Sequence, residues 1–195
     1  MGLFSTKYCD ICGGKIGLLG NKKLEDGSMC KDCERKLSPW FIERRESTQS
    51  EIKLQLSYRE ANKERLSAFH PTRKLGMDKM LMIDEEAGRF TVATEGDLLE
   101  ANPDILNLSD VTSCNLDIDE KRVELMKEDS EGREVSYIPS RYEYSYNFNM
   151  NIKVKNPYFD FMKFKLNNYS VDGQSRLEFE KYKDMGEEMC AALNK

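Results

Sequence analysis

From Tyr142 to Val154 the chain alternates with a period of two. Tyr142, Tyr144, Tyr146, Phe148, Met150, Ile152 and Val154 fall on one side, and Glu143, Ser145, Asn147, Asn149, Asn151 and Lys153 on the other. Side chains of a strand point alternately to its two faces, so this pattern predicts one long strand with an apolar face. Its length exceeds the usual five or six residues, which predicts a bend that lets it serve two sheet faces. Shorter stretches of the same kind surround it. "KMLMIDEEAGRFTVAT" from Lys79 predicts a hairpin with Gly88 in the turn, and "DILNLSDVTSCNLDID" two short strands split at Ser109-Asp110. "RVELMKEDSEGREVSYI" predicts another hairpin, turning near Glu131-Gly132, and "FDFMKFKLN" a strand with Met162, Phe164 and Leu166 on one side. The tyrosine row is expected to form the inner wall of the resulting sheet.

Two segments change the period to that of a helix. Thr48-Gln49-Ser50-Glu51 has the form of a capping box, in which the hydroxyl and the carboxylate each take one free backbone N–H. The chain after it, up to Phe69, lacks Gly and Pro but carries only a thin apolar stripe, as expected of a helix lying on a surface or bridging two parts. Pro71 should stop it near His70. His70 is the only histidine and has no nucleophile motif beside it, so a helix-end role is expected. At the other end, Ser175 to Glu178 repeats the capping-box form. Phe179, Tyr182, Met185, Met189 and Leu193 then follow a helical stripe, fit to close the open end of a sheet. Cys114 and Cys190 sit in apolar patterns and are expected to be buried thiols.

The first 47 residues follow neither period. They hold "CDICGGKIGLLGNKKLEDGSMCKDC", with Cys9, Cys12, Cys30 and Cys33 spaced C-x2-C-x17-C-x2-C. Two such pairs at this separation form a zinc-site signature. Four thiolates complete a zinc tetrahedron and leave no position for water or substrate, so the ion expected is one structural zinc, ahead of iron. A redox dithiol would need one CxxC at a helix start in a strand–helix–strand setting, which is absent here. Large apolar residues are few in this segment, and a module this small seldom holds by burial alone. A structural zinc supplies about 10–16 kcal/mol of apparent binding free energy in small finger peptides. After the second pair, Ser38-Pro39 resembles a helix start, and Trp40 and Phe41 should pack inward.

The organisation expected is α+β: a zinc-ribbon-like module at 1–47, a connecting helix at 48–70, and a β-rich part at 71–195. That last part should be an antiparallel β-barrel or bent sheet closed by the C-terminal amphipathic helix. Charge follows the same division. The chain of 195 residues carries −5, with +2 in 1–47, +1 in 48–70 and −8 in 71–195. Four thiolates around zinc carry a formal −2, which brings the first module close to neutral. Its basic doublets Lys22-Lys23 and Arg44-Arg45 read as solvated surface pairs. No part has the basic excess of a phosphate-backbone binder.

No apolar run of ~18 residues is present, so no membrane-spanning helix is expected, and no secretory signal is discernible. Met1 to Thr6 matches the acylation pattern M-G-x-x-x-[ST], a short match read as an ordinary apolar lead-in, without a lipid anchor. A reducing cytoplasmic setting is expected, where thiolates bind metal rather than pair as disulfides.

"YCDICGGKIGLLGNKKLEDGSMCKDC", the following "SPWF" and the strand "RYEYSYNF" together resemble an uncharacterised bacterial family bearing a zinc-ribbon-like domain of unknown function. The resemblance implies only the four cysteines as ligands. The order of short strands before a last helix is similar to a pleckstrin-homology (PH)-like barrel, and "ILNLSDV" is similar to a segment of bacterial versions. That likeness implies no lipid binding, because this half is acidic and lacks a cluster of Lys or Arg in a loop. The chain also lacks a P-loop, a dinucleotide-binding fingerprint, an HExxH and a GxSxG. The function expected is therefore non-enzymatic: a zinc-stabilised binding or adaptor protein with a protein partner. The alternatives are a nucleic-acid-associated zinc-ribbon protein and, third, an enzyme of unrecognised type. No motif encodes the partner's identity or the oligomeric state.

Overall fold

The computed structural model describes residues 7–94, 96 and 98–194. The acylation-pattern match at residues 1–6 lies outside the described residues. The glycine-rich segment at the start makes only small pieces of sheet. Strands β1 (Lys22–Lys23) and β2 (Ser28–Met29) pair antiparallel, Tyr8 bridges Lys15, and helix α1 covers Lys31–Lys36. Ile16, Leu24, Met29, Leu37 and Phe41 are buried here together with Cys9, Cys30 and Cys33. Phe41 thus packs inward as expected, and Trp40 packs partly buried against the larger core of the β-rich part.

Helix α2 spans Gln49–Ser67 and opens on the expected capping box. The Thr48 amide donates to Glu51 Oε2 at 2.7 Å, and the Glu51 amide donates to Thr48 Oγ1 at 3.3 Å. Its buried residues are Ile52, Gln55, Arg59, Asn62 and Leu66, a single face at three- and four-residue steps. Only the two ends of that face are apolar. Ile52 joins the cysteine-lined cluster, and Leu66 joins Phe69, Met80, Met82, Ala93 and Ile105. Polar contacts to the loop at 102–105 fill the middle. Arg59 Nη1 meets Asp104 Oδ1 at 2.7 Å, Asn62 Nδ2 donates to the Pro103 carbonyl at 2.8 Å, and the Ile105 amide donates to Asn62 Oδ1 at 2.9 Å.

The β-rich part is built from two four-stranded sheets. In the first, β3 (Arg73–Gly76), β4 (Lys79–Asp84), β5 (Arg89–Thr94) and β6 (Leu106–Asn107) lie in chain order, all antiparallel. The short helix α3 (Leu98–Ala101) lies between β5 and β6. The expected hairpin at 79–94 is thus present. Both its faces are covered, with Leu81, Ile83, Phe90 and Val92 in the main core and Met80, Met82 and Ala93 under the end of α2.

The second sheet starts after a 3-10 turn at Leu108–Asp110. Its strands are β7 (Val111–Glu124), β10 (Tyr142–Val154), β11 (Phe161–Lys165) and β12 (Val171–Asp172). Between β7 and β10, the small hairpin of β8 (Met126–Glu128) and β9 (Glu134–Ser136) forms the tip of a long ribbon. Strand β10 pairs with β7 from Tyr142 to Val154. Its other edge is shared, with β12 at Ser145 and Tyr146 and β11 from Asn149 to Lys153. The last helix, α4 (Arg176–Leu193), covers this sheet. It comes closest at Gly186, where a Cβ would lie 2.6 Å from Leu116 Cδ1.

Three expectations are corrected. First, the strands do not close into a barrel. The two sheets share one core, but no strand of one is hydrogen-bonded to a strand of the other among the described residues. Second, the tyrosine row is only half an inner wall. Phe148, Met150 and Ile152 are fully buried, whereas Tyr142 and Tyr144 are each 38 % exposed. The reason is length: β7 and β10 run on past α4, whose Phe179 ring covers Tyr146 and Phe148 at 4.8 and 5.2 Å. Third, Ser175 stands at the N-cap of α4 but its side chain makes no capping bond. The segment at 104–119, expected as two short strands, gives the short β6 and the long β7.

Candidate metal centre

The four cysteines come from two local structures. Around the first pair the chain turns back on itself: the Gly13 amide donates to the Cys9 carbonyl and the Cys9 amide to the Gly14 carbonyl, both at 2.8 Å. The turn puts Gly13 at φ +72°, in the left-handed region where a Cβ is unfavourable, which is why glycine follows Cys12. Asp10 Oδ2 accepts from the Ser28 amide at 2.7 Å and ties this turn to β2. In the second pair Cys30 is the N-cap of α1, and Cys33 lies in its first turn.

These two structures bring the sulfurs together. All four lie within 4.8 Å of one another, with Cys9 to Cys33 at 3.9 Å and Cys12 to Cys30 at 3.8 Å. A zinc–sulfur bond of about 2.3 Å gives a tetrahedral edge of about 3.8 Å, so the spacing fits four thiolates on one ion. Backbone amides point at the sulfurs as well, from Cys30 to Cys9 Sγ at 3.2 Å and from Cys33 to Cys30 Sγ at 3.4 Å. Cys9, Cys30 and Cys33 are buried and Cys12 is exposed.

The electrostatics of the bare sulfurs are unequal. Burial disfavours the Cys9 thiolate, but the amides of Cys12, Cys30 and Ile11 outweigh it and bring its pKa down to about 7. Burial and the three neighbouring sulfurs push the Cys33 thiol far up. Without a cation, then, the cluster holds some of its protons. A divalent ion replaces them and removes the repulsion among the sulfurs. Beside the cluster, Glu34 receives Lys22 and Arg44, each at 3.0 Å. Despite burial, these two cations hold the Glu34 carboxyl below the usual range. One residue of Lys22-Lys23 and one of Arg44-Arg45 are therefore paired at Glu34, and Lys23 and Arg45 remain exposed.

A closed set of four sulfurs can anchor an ion and the chain around it, with no open coordination position. This cluster is the one metal-capable group among the described residues. His70 is exposed and its backbone amide, not its ring, is engaged, donating to Asp84 Oδ2 at 3.0 Å. No sequence pattern pointed to the buried Arg59–Asp104 pair, to which Ser38 Oγ adds a 2.7 Å hydrogen bond. Nor did any pattern place Cys114 and Cys190 together, with sulfurs 3.3 Å apart between β7 and α4. Among the described residues no helix is long and apolar enough to cross a membrane. Comparison with curated proteins and with solved structures gives no match. Residues 7–55, from the first cysteine turn into the opening turns of α2, match the family described as Domain of unknown function (DUF4428).

Proposed function

We propose that the chain is a non-enzymatic, zinc-stabilised binding or adaptor protein that engages a protein partner in the cytoplasm. The zinc-ribbon-like module at 1–47 and the connecting helix at 48–70 serve as a folded support for the β-rich part at 71–195. The observation that carries this reading is the closed Cys9, Cys12, Cys30, Cys33 set, whose sulfur spacing suits a structural zinc with no place for substrate. The order of the β-rich part, four strands of one sheet, then four of a second sheet with a small hairpin between its first two, then a helix, supports an opened PH-like architecture. Such architecture does not by itself imply a ligand.

The test is affinity capture with the full, zinc-loaded chain, followed by the reciprocal capture with any recovered protein. A protein recovered stoichiometrically in both directions supports the reading. Recovery of nucleic acid in place of protein, surviving physiological salt and lost on Lys22→Glu with Lys23→Glu, would replace it with the nucleic-acid alternative.

A further inference from the structure

The gap that keeps the two sheets from closing into a barrel is itself a surface with specific chemistry. Strand β5 pairs with β6 only at Arg89 and Phe90; Thr91 is covered by the 102–105 loop, its Oγ1 donating to the Asp104 carbonyl at 2.8 Å, and beyond it Val92 to Thr94 have no strand partner on that side among the described residues. Among the described residues, strand β11 pairs only with β10, and its outer edge has no strand partner. Both edges border one groove of about 640 Å³, lined by Trp40, Val92, Ala93, Thr94, Pro103 and Phe161. Val92 and Ala93 send their side chains into cores on opposite faces of the sheet, so the groove meets β5 along its backbone edge. Trp40 and Phe161 supply apolar ground, and Phe161 is 47 % exposed. Exposed strand edges next to apolar pockets accept an added strand: backbone bonds give affinity, and alternate side chains give selectivity.

Charge narrows the occupant. Lys79 and Lys163 stand at the groove, with Lys79 Nζ 5.7 Å from the Trp40 ring and Lys163 Nζ 5.8 Å from the Phe161 ring. Lys153 Nζ approaches Phe161 as well, at 5.7 Å. None of the three makes an ion pair among the described residues, although residues 71–195 carry −8 overall. Glu43, Glu51 and Asp160 line the adjoining hollow that shares Trp40 and Phe161, and Asp117 and Asp119 the one that shares Lys163, so the positive ground is limited to the strand-edge side. Two lysines beside aromatic rings and a strand edge suit an acidic strand.

We propose that this groove binds one extended segment of a partner protein, with apolar side chains on Trp40 and Phe161 and Asp or Glu facing Lys79 and Lys163. The segment pairs by its backbone with the outer edge of β11, along which Phe161, Lys163 and Lys165 are exposed. This rests on the binding-protein reading above and names the partner's chemistry.

The test is selection of displayed random dodecapeptides on the full, zinc-loaded chain, with affinities then measured for the enriched peptides. Two exposed-site variants serve as controls, Lys79→Glu with Lys163→Glu, and Phe161→Ser, each checked for an unchanged circular dichroism spectrum. The expected peptides alternate apolar residues and are flanked by Asp or Glu. Their affinity should fall about tenfold or more in the lysine variant, and the difference should shrink as salt rises. Enriched peptides that bind both variants as tightly as the parent overturn the groove and leave the binding-protein reading in place. Basic peptides overturn the charge argument and with it the proposal. A dimer that Phe161→Ser dissolves overturns it in favour of a second copy as occupant. No enrichment at all also overturns it, and the broader reading is then decided by the reciprocal capture, which uses no peptide.

Discussion

Asp84 closes β4 with two charged-group hydrogen bonds from the backbone. The amides of His70 and Ala87 donate to it at 3.0 and 2.9 Å and hold its carboxyl below the ordinary range. A depressed folded pKa means that the carboxylate's contribution is present above the unfolded value and is lost as pH falls through the folded one. Asp84→Asn should therefore lower stability at neutral pH, and the gap between parent and variant should narrow from about pH 4 downward, as denaturation midpoints across pH would show. A gap that stayed constant with pH would assign the loss to shape alone. Cys114 and Cys190 behave in the opposite sense. Burial pushes both thiols up, so at neutral pH they stay protonated and poor nucleophiles. In the metal-loaded protein neither should alkylate quickly. Chelation should add the four N-terminal cysteines to the labelled set and leave these two slow, as peptide mass mapping would record.

At the scale of an element, α2 shows how far sequence can be read. Its start was legible because a capping box is a local device, and Thr48 and Glu51 make it here. Its thin apolar stripe was legible too, but the cause was not. The buried face is completed by Gln55, Arg59 and Asn62, and two of these find partners some forty residues away in the 102–105 loop. No local pattern encodes a partner at that distance. Gln55 is fully buried, and among the described residues its side-chain amide has no hydrogen-bond partner. Gln55→Met should thus raise stability by about 1–3 kcal/mol, the penalty of a buried unsatisfied polar group, read from urea denaturation. A lower midpoint would show that the amide is engaged. Strand β10 teaches a related lesson. Its bounds follow from alternation alone, since pairing needs only the period. Which part of its apolar face is covered depends on where α4 begins, since Phe179 in its first turn covers Tyr146 and Phe148, and that cannot be read from the strand.

Across the whole molecule, the metal-centre cluster and the β-rich core meet through few groups. Tyr158 packs against both, with its ring 5.0 Å from Tyr58 and 6.5 Å from Phe41. Asp104 sits fully buried between Arg59 and Ser38, joining α2 and the loop before Trp40 to the first sheet. Breaking one side of a buried ion pair strands the other charge, so Arg59→Met should cost about 3–5 kcal/mol. Arg59→Met with Asp104→Asn should cost less than the two single changes added, by a double-mutant cycle in urea. Additive losses would mean that the pair does not act as a unit.

If the four sulfurs hold one structural zinc, the metal content of the purified full chain shows it most directly. Elemental analysis should give about one zinc per chain, and Cys12→Ser or Cys30→Ser should lose the metal and unfold the N-terminal module. No zinc, together with a disulfide between Cys9 and Cys12, would contradict it.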